Sequence, residues 1–270
     1  MTLPSDSAAW HDVCFLDQSH RERSLLPPDT RAWTRALTIE VDRRGTSVLG
    51  SAVSAGDLMF NGATPVRDMS WRMTQKHRPG LEWLASTGRQ HGFESLQERR
   101  LLVALDFDGR LRDALSQPFQ LTYNDAIRRR RHVPDLLAWL DDGQVLLLNV
   151  KPADRIEDIH RAAFAACDRL AAARGWRHEV VSGWVEPART IVETLSSRRR
   201  PLHDGFGIEV ELRAAAARGP VAFGELVAAT RMPVVARAFA VRMLWRKELA
   251  VDLASPFEDF SIVRAGRAAS

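Results

Sequence analysis

The sequence predicts an α/β fold: a mixed sheet flanked by helices, with a smaller, mostly helical module after it. Three observations carry that prediction. Residues 132–151 read as two apolar strands joined by Asp141-Asp142-Gly143. Residues 155–174 carry an apolar stripe at helical spacing, then Gly175 and a further apolar run. After Arg200-Pro201 the pattern changes to short helices and two terminal strands.

Length and composition bound the rest. At 270 residues the chain exceeds a usual single domain, so one large domain with appendages, or two domains, is expected. The divisions predicted are 1–75, a region of undefined structure; 76–200, the sheet-bearing domain; and 201–270, the helical module. Cys14 and Cys167 lie in no CxxC or Cys/His spacing, which argues against a cysteine-based structural zinc and fits a reducing cytoplasm. No signal peptide or apolar run of transmembrane length is visible, so a soluble cytoplasmic protein with no membrane partner is expected. The net charge of +4 is modest, but arginine far outnumbers lysine.

In chain order, Leu37–Val41 and Val48–Val53 suggest strands, and Trp71 and Trp83 suggest core aromatics. Leu96, Leu101, Leu102 and Leu105 predict a helix over 93–105, on which Glu94 and Glu98, four apart, share a face. A strand follows around 117–123, then the run Arg128, Arg129, Arg130, Arg131. Ile156, Ile159, Ala163, Phe164, Cys167, Leu170 and Ala171 form the stripe of a helix over 155–174, and Gly175 suits a left-handed cap. Residues 176–181 read as a strand and 188–197 as a helix.

Beyond 200, helices over 206–218, 222–230 and 234–245 precede strands over 249–253 and 260–263. Three helices and a β-ribbon make a winged-helix pattern, a variant of helix-turn-helix. Its third helix carries Arg237 and Arg242 as candidate DNA contacts. Winged helices also dock proteins, and this helix is mostly apolar, so both uses stand.

The hairpin carries the chemistry. With 141–143 as a three-residue loop, Leu140 pairs with Gln144 and Asp135 falls opposite Asn149; Lys151, two residues on, shares their face. A carboxylate, an amide and an ammonium at one strand end suit metal-assisted attack of water on a phosphodiester. Asp135 is the central candidate ligand. Asn149 offers a carbonyl oxygen, Lys151 a charge for the phosphate or the nucleophile, and Glu98 or alternatively Glu94 a second carboxylate. Magnesium prefers such oxygens. Arg128–Arg131 beside the hairpin suit phosphate contacts, and read equally as a solvated loop. Each residue alone has an ordinary reading: Asp135 a strand-edge carboxylate, Lys151 a solvent-facing strand end, and the glutamates a polar face paired with Arg99 or Arg100.

The order Glu98, Pro134-Asp135, Asn149-x-Lys151 resembles the PD-(D/E)xK nuclease superfamily. Gly92–Arg99, Leu105–Asp108, Ser116–Phe119, Arg131–Asp135 and Val150–Arg155 are similar to TnsA-type endonuclease subunits of heteromeric transposases, over about residues 80–200. The resemblance implies a restriction-endonuclease-like core and a carboxy-terminal winged helix. It implies cleavage of the non-transferred strand at transposon ends with Mg2+ or Mn2+, beside a DDE-type transposase and an AAA+ ATPase regulator. In it Glu98, Asp135 and Asn149 take the ligand positions and Lys151 the lysine position. Asn149 departs from the Glu, Asp or Gln usual at its position, which predicts weaker metal affinity. A stand-alone restriction or repair nuclease, and an inactive DNA- or protein-binding adaptor, are the alternative expectations.

Overall fold

The computed structural model describes residues 2–21, 26–27, 31–52, 60–67, 79–125 and 127–267. Trp71 and Val53 lie outside them. The fold is mixed α/β with several sheets and seven helices among the described residues, and no described helix is long and apolar enough to cross a membrane.

The chain folds as two compact units: one of residues 15–102 and 110–183, the other of 1–14, 103–109 and 184–270. Neither boundary coincides with those expected at 75 and 200.

The first unit opens with β1 (Cys14–Asp17), α1 (Arg31–Arg35), β2 (Thr38–Arg43), β3 (Thr46–Ser51), β4 (Gly80–Leu84) and β5 (Arg89–Phe93). It continues through the first half of α2 (Leu96–Asp108), whose residues 103–108 count with the second unit, then β6 (Leu111–Ser116), β7 (Gln120–Asn124), β8 (Arg129–His132), β9 (Leu136–Leu140), β10 (Val145–Val150), α3 (Asp158–Arg174) and β11 (Arg177–Trp184). The main sheet runs β1-β11-β10-β9-β6. β6, β9 and β10 are antiparallel neighbours, and α3 crosses over to bring β11 parallel to β10. An antiparallel sheet β3-β2-β7-β8 and the hairpin β4-β5 complete the unit.

Residues 38–51 therefore belong to a sheet with 120–132 rather than to a separate arm. The reason is burial: Leu37, Ile39 and Val41 are fully buried in one apolar cluster with Leu121, Leu137, Leu147, Cys167 and Leu170. That cluster is the core of the unit.

Local chemistry sets several boundaries away from those predicted. α2 starts at Leu96, not 93, because Ser95 caps it and Phe93 closes β5. The strand expected from 117 starts at Gln120, since Gln117 takes a positive φ of 48°. α3 starts at Asp158 after a 3-10 turn over Ala153–Arg155. Ile156 thus precedes the helix and Ile159 is 51% exposed, while Ala166 takes a buried position on it. Gly175 ends α3 at φ 68°, in the left-handed cap expected. Of the arginine run, Arg129–Arg131 lie in strand β8, and Arg128 lies in the bend before it.

The second unit holds α4 (Ala188–Ser196), α5 (Ile208–Ala216), β12 (Val221–Ala222), α6 (Phe223–Ala228), α7 (Pro233–Trp245), β13 (Leu249–Ala250) and β14 (Ile262–Ala265). Its three strands run β12-β14-β13, both pairings antiparallel. Leu212, Leu226, Ala236, Ala240, Met243 and Leu244 are buried here.

Candidate functional site

β9 and β10 form the predicted hairpin in the predicted register. Leu140 N–H donates to the Gln144 carbonyl at 2.9 Å, and Gly143 takes φ 83°. Trp139 pairs with Val145 and Leu136 with Leu148, which extends to Asp135 opposite Asn149. Leu137 and Leu147 point to the core with α3, so strand alternation puts Asp135, Asn149 and Lys151 on that same face. The opposite face, with Leu136, Ala138, Leu146 and Leu148, is buried too.

Two neighbouring residues on this face meet opposite surroundings. Asp135 meets carboxylates. The Val150 N–H donates to its Oδ2 at 2.7 Å, yet its pKa is pushed up to about 7. Burial is the main cause, followed by the charge of Glu98; Glu94 adds to it, and the Val150 hydrogen bond and Arg67 oppose it. Glu98 sits in the first turn of α2 as part of a capping box. Glu98 N–H donates to Ser95 Oγ at 3.3 Å, Ser95 Oγ–H to Glu98 Oε1 at 2.7 Å, and Glu94 N–H to Glu98 Oε2 at 2.8 Å. Glu94 pairs with Arg67 at 3.5 Å. Arg99 pairs with Glu82 of β4.

Asn149 meets imidazoles. It is fully buried, and both ends of its amide are engaged. His132 Nε2–H donates to its Oδ1 at 2.8 Å, and its Nδ2–H donates to His178 Nε2 at 2.9 Å. His178 Nδ1–H donates onward to Asp168 Oδ1 at 2.7 Å. This pattern requires His178 to be neutral, since its Nε2 accepts a hydrogen bond, and leaves the charge of His132 to its burial. Burial agrees, pushing His132 down to about 4 against the Asn149 bond and lowering His178 against Asp168. The expected role of Asn149 as a metal ligand therefore meets a physical obstacle: its carbonyl oxygen is sealed from solvent and already accepts a hydrogen bond.

Lys151 is fixed at the strand end by its N–H bond to the Val181 carbonyl, 2.9 Å. Among the described residues its ammonium makes no hydrogen bond or ion pair, and its charge helps hold the His160 pKa down, after burial.

The arginines divide. Arg130 packs back onto the turn, its Nε donating to Asp125 Oδ2 at 2.5 Å, which with two backbone N–H bonds holds the Asp125 pKa down at about 2. Arg128, Arg129 and Arg131 are exposed. In the second unit Arg237 is half exposed and paired with Asp259 at 2.8 Å, over the Phe223 ring. Arg242 is 13% exposed and pairs with Glu209 at 2.7 Å, tying α7 to α5. It is poorly placed for the DNA contact expected of it.

On the hairpin, the oxygen donors suited to a hard divalent ion gather at the carboxylate end. Burial, and after it the charge of Glu98, holds a proton on Asp135 near neutral pH, and magnesium needs just one or two protein carboxylates, taking the rest of its shell from water and phosphate. Glu94, Glu98 and Asp135 do not close into a three-ligand set among the described residues. The set that does close is His20, Asp168 and His178. The sequence did not reveal it because His20 lies far in the chain from Asp168 and His178, and the three fall in no motif spacing; a histidine at 178 inside a strand is the one local signal. Neither a scan against protein-family models nor a search of curated proteins gives a match, so the functional reading rests on these residues and their geometry.

Proposed function

We propose that the chain is a divalent-metal-dependent DNA endonuclease with a restriction-endonuclease-like core, working as a TnsA-type subunit of a heteromeric transposase at transposon ends. The observation that carries this reading is the hairpin register, which brings Asp135 and Lys151 to one face at one strand end beside Glu98 and Glu94; burial and then those two charges raise the Asp135 pKa. Like-charged carboxylates brought together around a buried Asp135 gain by sharing a cation.

The topology supports it: α2, the antiparallel meander β6-β9-β10, crossover helix α3 and parallel β11 follow the order of that core. The second unit supports a winged helix, with α5, β12, α6, α7 and the ribbon β13-β14 in sheet order β12-β14-β13.

In this reading Asp135 and Glu98 hold a magnesium or manganese ion, which supplies Lewis-acid polarisation of the phosphodiester and a more acidic water. Asp135 must give up its proton to do so, and Glu98 must turn part of its carboxylate from the Ser95 cap. Lys151 brings positive charge to the scissile phosphate. Arg128, Arg129 and Arg131 grip the backbone on either side. Asn149 holds His132 and His178 in place rather than binding the ion. A DDE-type transposase and an AAA+ ATPase are the proposed partners, in the cytoplasm at the nucleoid.

The adaptor reading is kept by one observation: the third ligand position is spent on a buried hydrogen-bond network. A strand-cleavage assay on transposon-end DNA, with the partner transposase and ATPase and magnesium or manganese, separates the two. Metal-dependent nicking that Asp135→Asn abolishes supports the endonuclease. Nicking that proceeds equally in Asp135→Asn, or no nicking by the assembled wild-type complex, overturns it.

A further inference from the structure

We propose that His20, Asp168 and His178 form a binding site for a divalent transition metal of the zinc class, separate from the carboxylate end of the hairpin. His20 follows β1, Asp168 lies on α3 and His178 on β11, so the site clasps three elements of one unit. Their donor atoms all lie within 4.8 Å of one another. His20 Nε2 is 2.8 Å from Asp168 Oδ2, and His178 Nδ1 is 2.7 Å from Asp168 Oδ1. Two imidazoles and a carboxylate suit zinc, and Asp168 at 25% exposure leaves a side open for a water as fourth ligand.

A second observation points to a ligand. The His20 side chain is fully buried, yet neither ring nitrogen has a hydrogen-bond partner. Nε2 faces Asp168 and Nδ1 lies 3.5 Å from Asp17 Oδ2, but neither pair has hydrogen-bond geometry. A buried imidazole with two orphan nitrogens is expensive, and a metal on Nε2 would satisfy one of them.

The surroundings supply what metal-bound histidines need, an acceptor for the far ring N–H. Asp17 stands beside His20 Nδ1. For His178 the acceptor is Asn149. Turning that amide over puts its Oδ1 against His178 Nε2–H, frees His178 Nδ1 for the metal, and directs Nδ2–H at His132 Nε2. Every partner remains satisfied in both arrangements, with His132 moving its proton to Nδ1. Ligand bonds of about 2.0–2.1 Å in a tetrahedron set donors about 3.3 Å apart, so the two histidine–aspartate pairs, at 2.8 and 2.7 Å, need to open by only about half an ångström. Arg21, 3.6 Å from Asp168 Oδ2, is the cation such an ion displaces. Cysteine spacing gave no hint of this site because it contains no cysteine.

The test is a zinc titration of chelator-stripped full-length protein against a chromophoric chelator, with cobalt(II) as the spectroscopic probe. The expected result is one ion per chain and the intense visible absorption of tetrahedral cobalt. His20→Gln and Asp168→Asn weaken zinc at least about 100-fold, and Asn149→Ala, which removes an orienting partner, about 10–100-fold. Asp135→Asn leaves zinc affinity unchanged, so failure here is distinct from failure of the endonuclease reading. Wild-type protein with nitrogen-15-labelled imidazoles gives a readout that needs no variant: zinc shifts His20 Nε2 and His178 Nδ1. Absence of a one-to-one zinc complex, wild-type affinity in a folded His20→Gln or Asp168→Asn variant, or zinc-induced shifts at other histidines instead overturns the proposal.

Discussion

Asp135 and Asn149 stand opposite one another on one hairpin, on one face, and meet contrasting fates. Asp135 is crowded by Glu98 and Glu94, and burial with like charge drives its pKa up to about 7. Asn149 is more deeply buried, yet both of its polar ends are satisfied by neutral imidazoles. The difference teaches where to look for chemistry. Burial alone does not mark a reactive group, since a buried polar group with matched partners is a structural joint. The group left with unbalanced charge is the one that gains by binding a cation or releasing a proton.

The contrast breaks most readily at Asp135. Asp135→Ala is expected to lower metal-dependent cleavage at a transposon end by more than about 10³-fold, the scale of losing several kcal/mol of metal assistance, while circular dichroism stays native. Undiminished cleavage in that variant would remove Asp135 from the reaction.

Glu98 separates charge from fold. Glu98→Gln keeps a side chain that can serve the capping box but loses the negative charge, so cleavage should fall about 100-fold or more with little change in melting temperature. Glu98→Ala should in addition cost about 1 kcal/mol of stability through the lost cap. Equal loss of stability in both variants would mean that Glu98 is a cap and nothing more.

The pH dependence of stability has a definite sign. Asp135 has a folded pKa above its ordinary 3.8, so its protonated form favours the fold. Its contribution is full below pH about 4 and is lost as pH rises through about 7, by at most about 4 kcal/mol. Metal-free wild-type protein should therefore lose stability over that window relative to Asp135→Asn, and magnesium should restore part of the loss. Parallel denaturation curves for the two proteins from pH 4 to 8 would contradict the shift.

Asn149 provides the opposite arm. Asn149→Asp places a charge in a buried network whose histidines are neutral, so it should cost about 1–3 kcal/mol and raise the pKa of His132. It should not raise magnesium affinity, in contrast to what the resemblance to the nuclease superfamily implies at this position. A gain in magnesium affinity measured by calorimetry would return Asn149 to the ligand set.

The smallest effects belong to the arginines of β8 and of the bend before it. Replacing Arg128, Arg129 or Arg131 by Ala should reduce the salt dependence of DNA binding by about one ion each. Arg130→Ala should instead loosen the Asp125 turn, because its guanidinium is already committed there.

Much of the fold was legible because it rests on local periodicity. The hairpin register followed from Gly143 and from apolar runs on both sides, and α3 from its stripe and Gly175. The strands 80–84, 89–93 and 111–116 were not legible. Their sequences, such as Arg89-Gln90-His91-Gly92-Phe93, lack an apolar alternation, and their pairing partners alone make them strands. Residues 38–51 looked detached because their sheet partner lies some eighty residues on.

The candidate site divided the same way. Asp135, Glu98 and Lys151 could be placed by counting along strands and one helix. The commitment of Asn149 could not, since His132 and His178 reach it from other strands. The same applies to Arg242, whose partner Glu209 lies on another helix.

The most direct test of the contrast is a manganese titration followed by electron paramagnetic resonance on the full chain, with zinc present to occupy any imidazole site. The account predicts that Asp135→Asn weakens manganese binding at least about tenfold, while folded Asn149→Ala stays within about threefold of wild type. Wild-type affinity in Asp135→Asn, or loss of binding in Asn149→Ala alone, would contradict it.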